Sequence, residues 1–215
     1  MNSVVGVLDY GCGNLHSVLR ACARFSGKIE IVEKLQQNSD FTHIVLPGVG
    51  SYSNAINEIR TRGLDQLIHE KLNDGVPLLG ICVGMQVLTT EGHENCFSSG
   101  LDLIGGSTEM LSLTKSDKSS RIPNMGWSAV VPGVNGNDNQ LFKGLEGGFD
   151  AYFAHSFEVK PNDRTDISAL SRFDGRDLVS AVKRGQVYGV QFHPEKSGES
   201  GLRVLKNFLS IDVLT

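Results

Sequence analysis

Between Leu78 and Leu88 an apolar run passes through Gly80-Ile81-Cys82-Val83-Gly84 and on into residues with helical spacing. A strand that ends on a sharp turn of this kind holds the central residue at the top of a sheet, and the flanking glycines remove side chains that would crowd it. With cysteine at the centre this is a nucleophile elbow. Backbone N–H groups at the helix start favour the charged sulfur, and the amide of Val83 can donate to an oxyanion on the attacked carbon. The alternative is a buried, inert cysteine, the usual fate of this residue type.

A thiol with a pKa of about 8.5 is only weakly ionised at neutral pH, so a nucleophilic cysteine wants a base and a group that orients the base. Among six histidines, His193 follows the apolar run Val187 to Phe192 and precedes Pro194-Glu195. In an extended chain residues two apart face the same side, so Glu195 can reach the His193 ring. Cys82, His193 and Glu195 then serve as nucleophile, base and orienter; the alternative for the last two is a surface pair at a strand end. Pro47-Gly48-Val49-Gly50 also follows an apolar strand, and the amides of Val49 and Gly50 can complete an oxyanion hole with that of Val83, unless the segment is simply a glycine-rich turn. His43, His69 and His93 stand alone, and no Cys/His spacing matches a zinc pattern, so no metal is expected. Cys12, Cys22 and Cys96 are expected to be structural. Gly11-Cys12-Gly13-Asn14 looks like a phosphate-cradling turn but lacks the G-x-G-x-x-G spacing, so no cofactor is assigned to it.

These residues need a scaffold. Val4 to Leu8, Ile29 to Val32, Thr42 to Leu46 and Pro77 to Ile81 read as strands, the third stopping at Pro47-Gly48. Leu15 to about Phe25 reads as a helix, and the spacing from Ile56 to Leu72 around Gly63 predicts one or two amphipathic helices. Alternation of this kind predicts an α/β fold, a mainly parallel open sheet with helices on both faces and binding residues at the strand C-termini. From about Leu101 shorter β-like runs follow at Ser128–Val131, Asp150–Ala154, Ser168–Leu170, Leu178–Val182 and Val187–Phe192, predicting an antiparallel β section packed beside the parallel one. Leu202 to Leu209 reads as a closing helix, and Ser112–Ser120 and Val134–Gln140 as polar loops.

Composition narrows the classes. The 215 residues suit one domain spanning 1–215, and 40% apolar with 20% charged residues is ordinary for a globular chain. A net charge of −4 without a basic block argues against nucleic acid. Apolar runs fall far short of the roughly 20 residues that cross a bilayer, so no membrane partner is expected. Met1 to Asp9 lacks a basic leader and reads as a first strand, and four cysteines without a C-x-x-C pair suit a cytoplasmic protein.

Six segments together resemble the motifs of one family in order: Asp9-Tyr10-Gly11-Cys12-Gly13-Asn14-Leu15, Leu46-Pro47-Gly48-Val49-Gly50, Gly80 to Gln86, Pro123-Asn124-Met125-Gly126-Trp127, Tyr152 to Phe157, and Gln191-Phe192-His193-Pro194-Glu195-Lys196-Ser197-Gly198. The chain resembles the class I (triad) glutamine amidotransferases, and within them the glutaminase subunits of imidazole glycerol phosphate synthase. The resemblance implies that Cys82 attacks the side-chain amide of glutamine, that His193 protonates the departing ammonia, and that water hydrolyses the γ-glutamyl thioester. It implies that Gln86 and the backbone at His155, Ser156 and Phe157 hold glutamine. It further implies that Asn14, Trp127, Tyr152 and Lys196 meet a (β/α)8-barrel cyclase/synthase subunit in a heterodimer. That subunit would receive the ammonia and make imidazole glycerol phosphate and aminoimidazole carboxamide ribotide in histidine biosynthesis, and the chain alone would be nearly idle. Asn124, Ser128, Phe157 and Ser51-Tyr52 depart from the usual pattern. Alternatives are a paralogue feeding another synthase, as in surface-sugar biosynthesis, a stand-alone cysteine hydrolase, or a noncatalytic subunit.

Overall fold

The computed structural model describes residues 3–11, 14–35, 40–94, 96–114, 120–133 and 140–214. The first half alternates strand and helix: β1 (Val4–Leu8), α1 (Leu15–Cys22), β2 (Lys28–Val32), β3 (His43–Gly48), α2 (Tyr52–Thr61), α3 (Leu64–Asn73) and β4 (Leu78–Cys82). β3 and β4 are buried along their whole length, as apolar strands covered on both faces must be. They pair in parallel in the order β2-β1-β3-β4. The stretch from Ile56 to Leu72 resolves into two helices, because Gly63 takes φ +69 and so ends one and starts the next.

After β4 come α4 (Val83–Gln86), β5 (Thr89–Gly92), β6 (Ser98–Ser99), β7 (Ile104–Met110), β8 (Asn124–Pro132), β9 (Phe149–His155), β10 (Phe157–Pro161), β11 (Ile167–Phe173), β12 (Arg176–Arg184), β13 (Val187–Val190) and α5 (Gly198–Phe208). β13 is the fifth parallel strand, set beside β4 with Gly189 opposite Gly80 and Val190 opposite Ile81. Its other edge pairs antiparallel with β12, across a tight connection at Gly185 and Gln186. The sheet then continues through β11 and β8 to β9, giving nine strands in all. The antiparallel strands therefore extend the parallel sheet instead of packing beside it, because the β12–β13 hairpin shares a strand with both halves. A second sheet of four strands runs β10-β7-β5-β6.

Several boundaries differ from the expectations. β3 runs through Pro47 to Gly48, since its pairing with β1 ends at Val45 while its pairing with β4 continues to Gly48 opposite Cys82. α1 stops at Cys22, short of Phe25. The helix after Cys82 is a single turn. β13 ends at Val190, and α5 begins at Gly198. The expected polar loops fall partly outside the described residues, at 115–119 and 134–139. In the core, Phe192 stacks edge-to-face on Phe149 and Phe153, ring centroids 5.7 and 5.9 Å apart. This contact pins the segment after β13 against β9 and so fixes where the next residue, His193, points. Among the described residues no helix is long and apolar enough to cross a membrane.

Candidate active site

Cys82 closes β4 with φ +55 and ψ −110, a conformation L residues rarely adopt. The turn is tight enough to dictate its neighbours: a Cβ on Gly84 would overlap the carbonyl oxygen of Leu46, and one on Gly80 would lie 2.6 Å from that of Gly84. α4 is a single turn, too short for a helix macrodipole to support the sulfur. Val49, Gly50 and Val83 line the same cavity as Cys82, so the elbow and the end of β3 meet as their shared sheet edge requires.

His193 is 3% exposed. Its Nδ1 lies 2.9 Å from Glu195 Oε1, and because an ionised carboxylate only accepts, Nδ1 carries the proton and Nε2 is left for the sulfur. The route to this pair differs from strand alternation. Pro194–Lys196 forms a 3-10 turn, which brings Glu195 round beneath the ring. The His193 backbone N–H donates to Tyr152 O at 2.9 Å, and the Ser197 hydroxyl bridges His193 O and Tyr152 N at 2.7 and 2.9 Å. The antiparallel wing of the sheet thus curls back over the C-terminal ends of β4 and β13. Burial alone would lower the His193 pKa, but its interactions with Cys82 and Glu195 outweigh that and raise it to about 9.

The cavity in front of the sulfur holds about 240 Å³, the scale of a free amino acid and smaller than a drug-sized pocket. Gln86, His155, Ser156 and Phe157 form one wall, so the structure gathers all four expected substrate-side residues. They are joined by hydrogen bonds. The Phe157 carbonyl accepts from His155 Nδ1 at 2.7 Å and from Gln86 Nε2 at 3.3 Å, and Asn124 Nδ2 lies 2.9 Å from His155 Nε2. A carbonyl cannot donate, so His155 is the Nδ1–H tautomer and accepts from Asn124. Burial holds the His155 pKa down at about 4.

At the remaining predicted positions, Trp127 and Tyr152 are cross-strand partners on β8 and β9, their rings edge-to-face with centroids 6.2 Å apart. Lys196 Nζ lies 5.9 Å over the Tyr152 ring. Trp127 is 59% and Met125 65% exposed, so a large apolar surface borders the cavity that Met125 helps to line. Asn14 is half-buried at the N-cap of α1. Of the cysteines expected to be structural, Cys22 is buried and Cys96 exposed, both free thiols, and Cys12 lies outside the described residues.

Two site residues were not anticipated. Glu94 lines the cavity while its carboxylate accepts from the Tyr52 backbone N–H at the start of α2. Nothing local to Glu94 marks it. Gln191 is fully buried, with its amide nitrogen 3.7 Å from Cys82 Sγ. A polar residue inside the apolar run before His193 was the signal available for it.

Comparison with known proteins agrees with this geometry. The family model for class-I glutamine amidotransferases matches residues 6–211. The imidazole glycerol phosphate synthase subunit HisH of Geobacillus sp. (strain WCH70) is 38% identical, covering 97% of each chain. The subunit of the same name from Moorella thermoacetica is 37% identical over 95% of this chain and 93% of its own. Among solved structures, PurLQS from Thermotoga maritima superimposes with a TM-score of 0.75 at 20% identity, covering 97% of this chain and 98% of that one, a likeness of fold. A match along nearly the whole length, with a cysteine elbow facing a His–Glu pair, leads to one placement: the chain belongs to the class-I glutamine amidotransferase family.

Proposed function

We propose that the chain is a glutaminase that passes ammonia to a (β/α)8-barrel synthase subunit, and that Cys82, His193 and Glu195 are its catalytic residues within one domain. The observation that carries this reading is the Cys82 elbow set against the buried His193–Glu195 pair, 2.9 Å between its nitrogen and oxygen. With the proton that Cys82 gives up held on His193 Nε2, the thiolate sulfur bonds to the side-chain carbonyl carbon of glutamine. The resulting oxyanion is received by the amides at Val49, Gly50 and Val83. When the intermediate collapses, His193 returns the proton to the leaving nitrogen and ammonia departs, leaving the thioester. Water, deprotonated by His193, then adds to the thioester, and glutamate leaves as the thiol is restored.

Gln86 and the backbone at His155, Ser156 and Phe157 position the substrate, and the Glu94 carboxylate on the cavity wall complements an α-ammonium group. Trp127, Tyr152, Lys196 and Asn14 form the face for the barrel subunit. The names of the similar proteins support imidazole glycerol phosphate synthesis; aminoimidazole carboxamide ribotide as second product and the cytoplasm as the setting belong to the same proposed reading. The test is glutamate release from glutamine by the chain alone and with the barrel subunit and its ribotide substrate, with Cys82→Ala as control. Strong activation only in the full mixture is expected. Fast turnover by the lone chain would favour an independent hydrolase, and absence of binding would point to a different synthase.

A further inference from the structure

The cysteine sulfur has a neighbour that works against its ionisation: the Ala154 carbonyl oxygen lies 3.9 Å from Sγ and favours the protonated thiol. His193 opposes that effect from one side. A second donor stands on another side, and its direction is set by an unbroken line of hydrogen bonds. The Phe157 carbonyl can only accept, so the end of the Gln86 side chain that meets it at 3.3 Å is the NH2 group. The other proton of that group points to Gln191 Oε1, 3.2 Å away. With its oxygen so occupied, the Gln191 amide presents its NH2 group to Cys82 Sγ at 3.7 Å. Gln191 follows Val190, the residue paired with Ile81, so the β4–β13 register itself carries Gln191 alongside Cys82.

We propose that Gln191 is a further catalytic residue, whose N–H donates to the reacting sulfur and favours the thiolate, held in that orientation by Gln86. The proposal deepens the glutaminase reading and rests on it. A donor at the sulfur acts twice in that reaction. It increases the fraction of enzyme in the attacking form, and it stabilises the thiolate again when sulfur leaves the thioester during hydrolysis. It also ties the nucleophile to the substrate wall, since Gln86 lines the cavity and spends both of its N–H groups within the protein. The carbonyl oxygen of Gln86 remains to receive a donor from the substrate. The titratable groups around the sulfur are His193, backed by Glu195, together with the neutral His155 and Glu94 across the cavity.

The test is the rate of Cys82 alkylation by iodoacetamide from pH 5 to 10, read by peptide mass spectrometry so that Cys22 and Cys96 are scored separately. Gln191→Met keeps the length and removes the donor. Gln191→Glu keeps the shape and replaces the donor with an acceptor. The whole 215-residue chain is used, and far-UV circular dichroism verifies that each variant is folded. At pH 7 the Met variant is expected to react roughly tenfold more slowly, the equivalent of losing one hydrogen bond to a charged group, with its profile displaced to higher pH. The Glu variant is expected to be displaced further. A profile that coincides with wild type in either folded variant would overturn the proposal, because a purely structural glutamine has no reason to govern sulfur reactivity. The glutaminase reading fails by a different result, glutamine hydrolysis that survives Cys82→Ala, which leaves the alkylation comparison intact.

Discussion

Replacing Cys82 by glycine is expected to leave the protein more stable than replacing it by alanine, although both changes remove the sulfur. The reason is the backbone at φ +55 and ψ −110, which alanine must keep and which glycine adopts freely. Conformations this sparsely populated cost on the order of 1–3 kcal/mol. Against that relief stands the greater freedom of glycine in the unfolded chain, about 0.5–1 kcal/mol, and a few tenths more for the lost methyl in a site that borders a cavity. The difference left is about 1 kcal/mol in favour of glycine, or about 2–4 °C in melting temperature for a chain of this size. Urea and thermal unfolding of the two variants, followed by circular dichroism at one pH, measure it directly. Neither variant is expected to hydrolyse glutamine. If the alanine form proves as stable as the glycine form or more so, the elbow stores no strain and the argument for a backbone held under tension at the nucleophile is wrong.

Three further expectations follow from the geometry. Gly84→Ala places a methyl on the Leu46 carbonyl oxygen, backbone against backbone, so it is expected to cost more than about 3 kcal/mol; a urea midpoint equivalent to within about 0.5 kcal/mol of wild type would refute the packing account. Two of the buried histidines, both at the site, pull stability in opposite directions with pH. The His193 pKa is raised to about 9, so its contribution is complete below about pH 6.5 and is lost as pH rises towards 9; that of His155 is lowered to about 4, so stability falls as pH drops from about 6.5 towards 4. Unfolding midpoints should therefore peak near neutrality, with His193→Gln flattening the alkaline limb and His155→Gln the acid limb, and an unchanged limb in either variant would count against the assigned environment. Trp127→Ala, at a residue 59% exposed, is expected to alter the stability of the free chain by no more than about 0.5 kcal/mol yet weaken the proposed complex with a barrel subunit roughly tenfold or more by calorimetry. Unaltered affinity would remove Trp127 from the interface.

The legibility of the site followed the range of the interactions that build it. Cys82 was readable because an apolar strand, two glycines and a turn are consecutive in the chain, and the crowding that requires Gly80 and Gly84 acts between near neighbours. His193 and Glu195 were readable for a similar reason, although the 3-10 turn that joins them was not, since Pro194 permits either an extended or a turning path and packing of Phe192 against β9 selects between them. The parallel half of the sheet showed in the alternation of buried strands and amphipathic helices. β5, β6 and β7 escaped notice because runs such as Thr89-Thr90-Glu91-Gly92 carry little apolar signal and are strands only by virtue of their partners.

What the sequence by itself determined, then, is the set of candidate reactive groups and the local turns that present them, through steric demands within a few residues. The tertiary structure alone decided how those groups act on one another. Gln191 reaches Cys82 across 109 positions of chain, Gln86 reaches Phe157 across 71, and Asn124 reaches His155 across 31. The first contact exists because β13 is inserted beside β4, the second because β10 of the smaller sheet lies against α4, and the third because Asn124 and His155 face each other across β8 and β9. Pairing of that kind is fixed by the summed burial of the whole core, a property no window of the sequence contains.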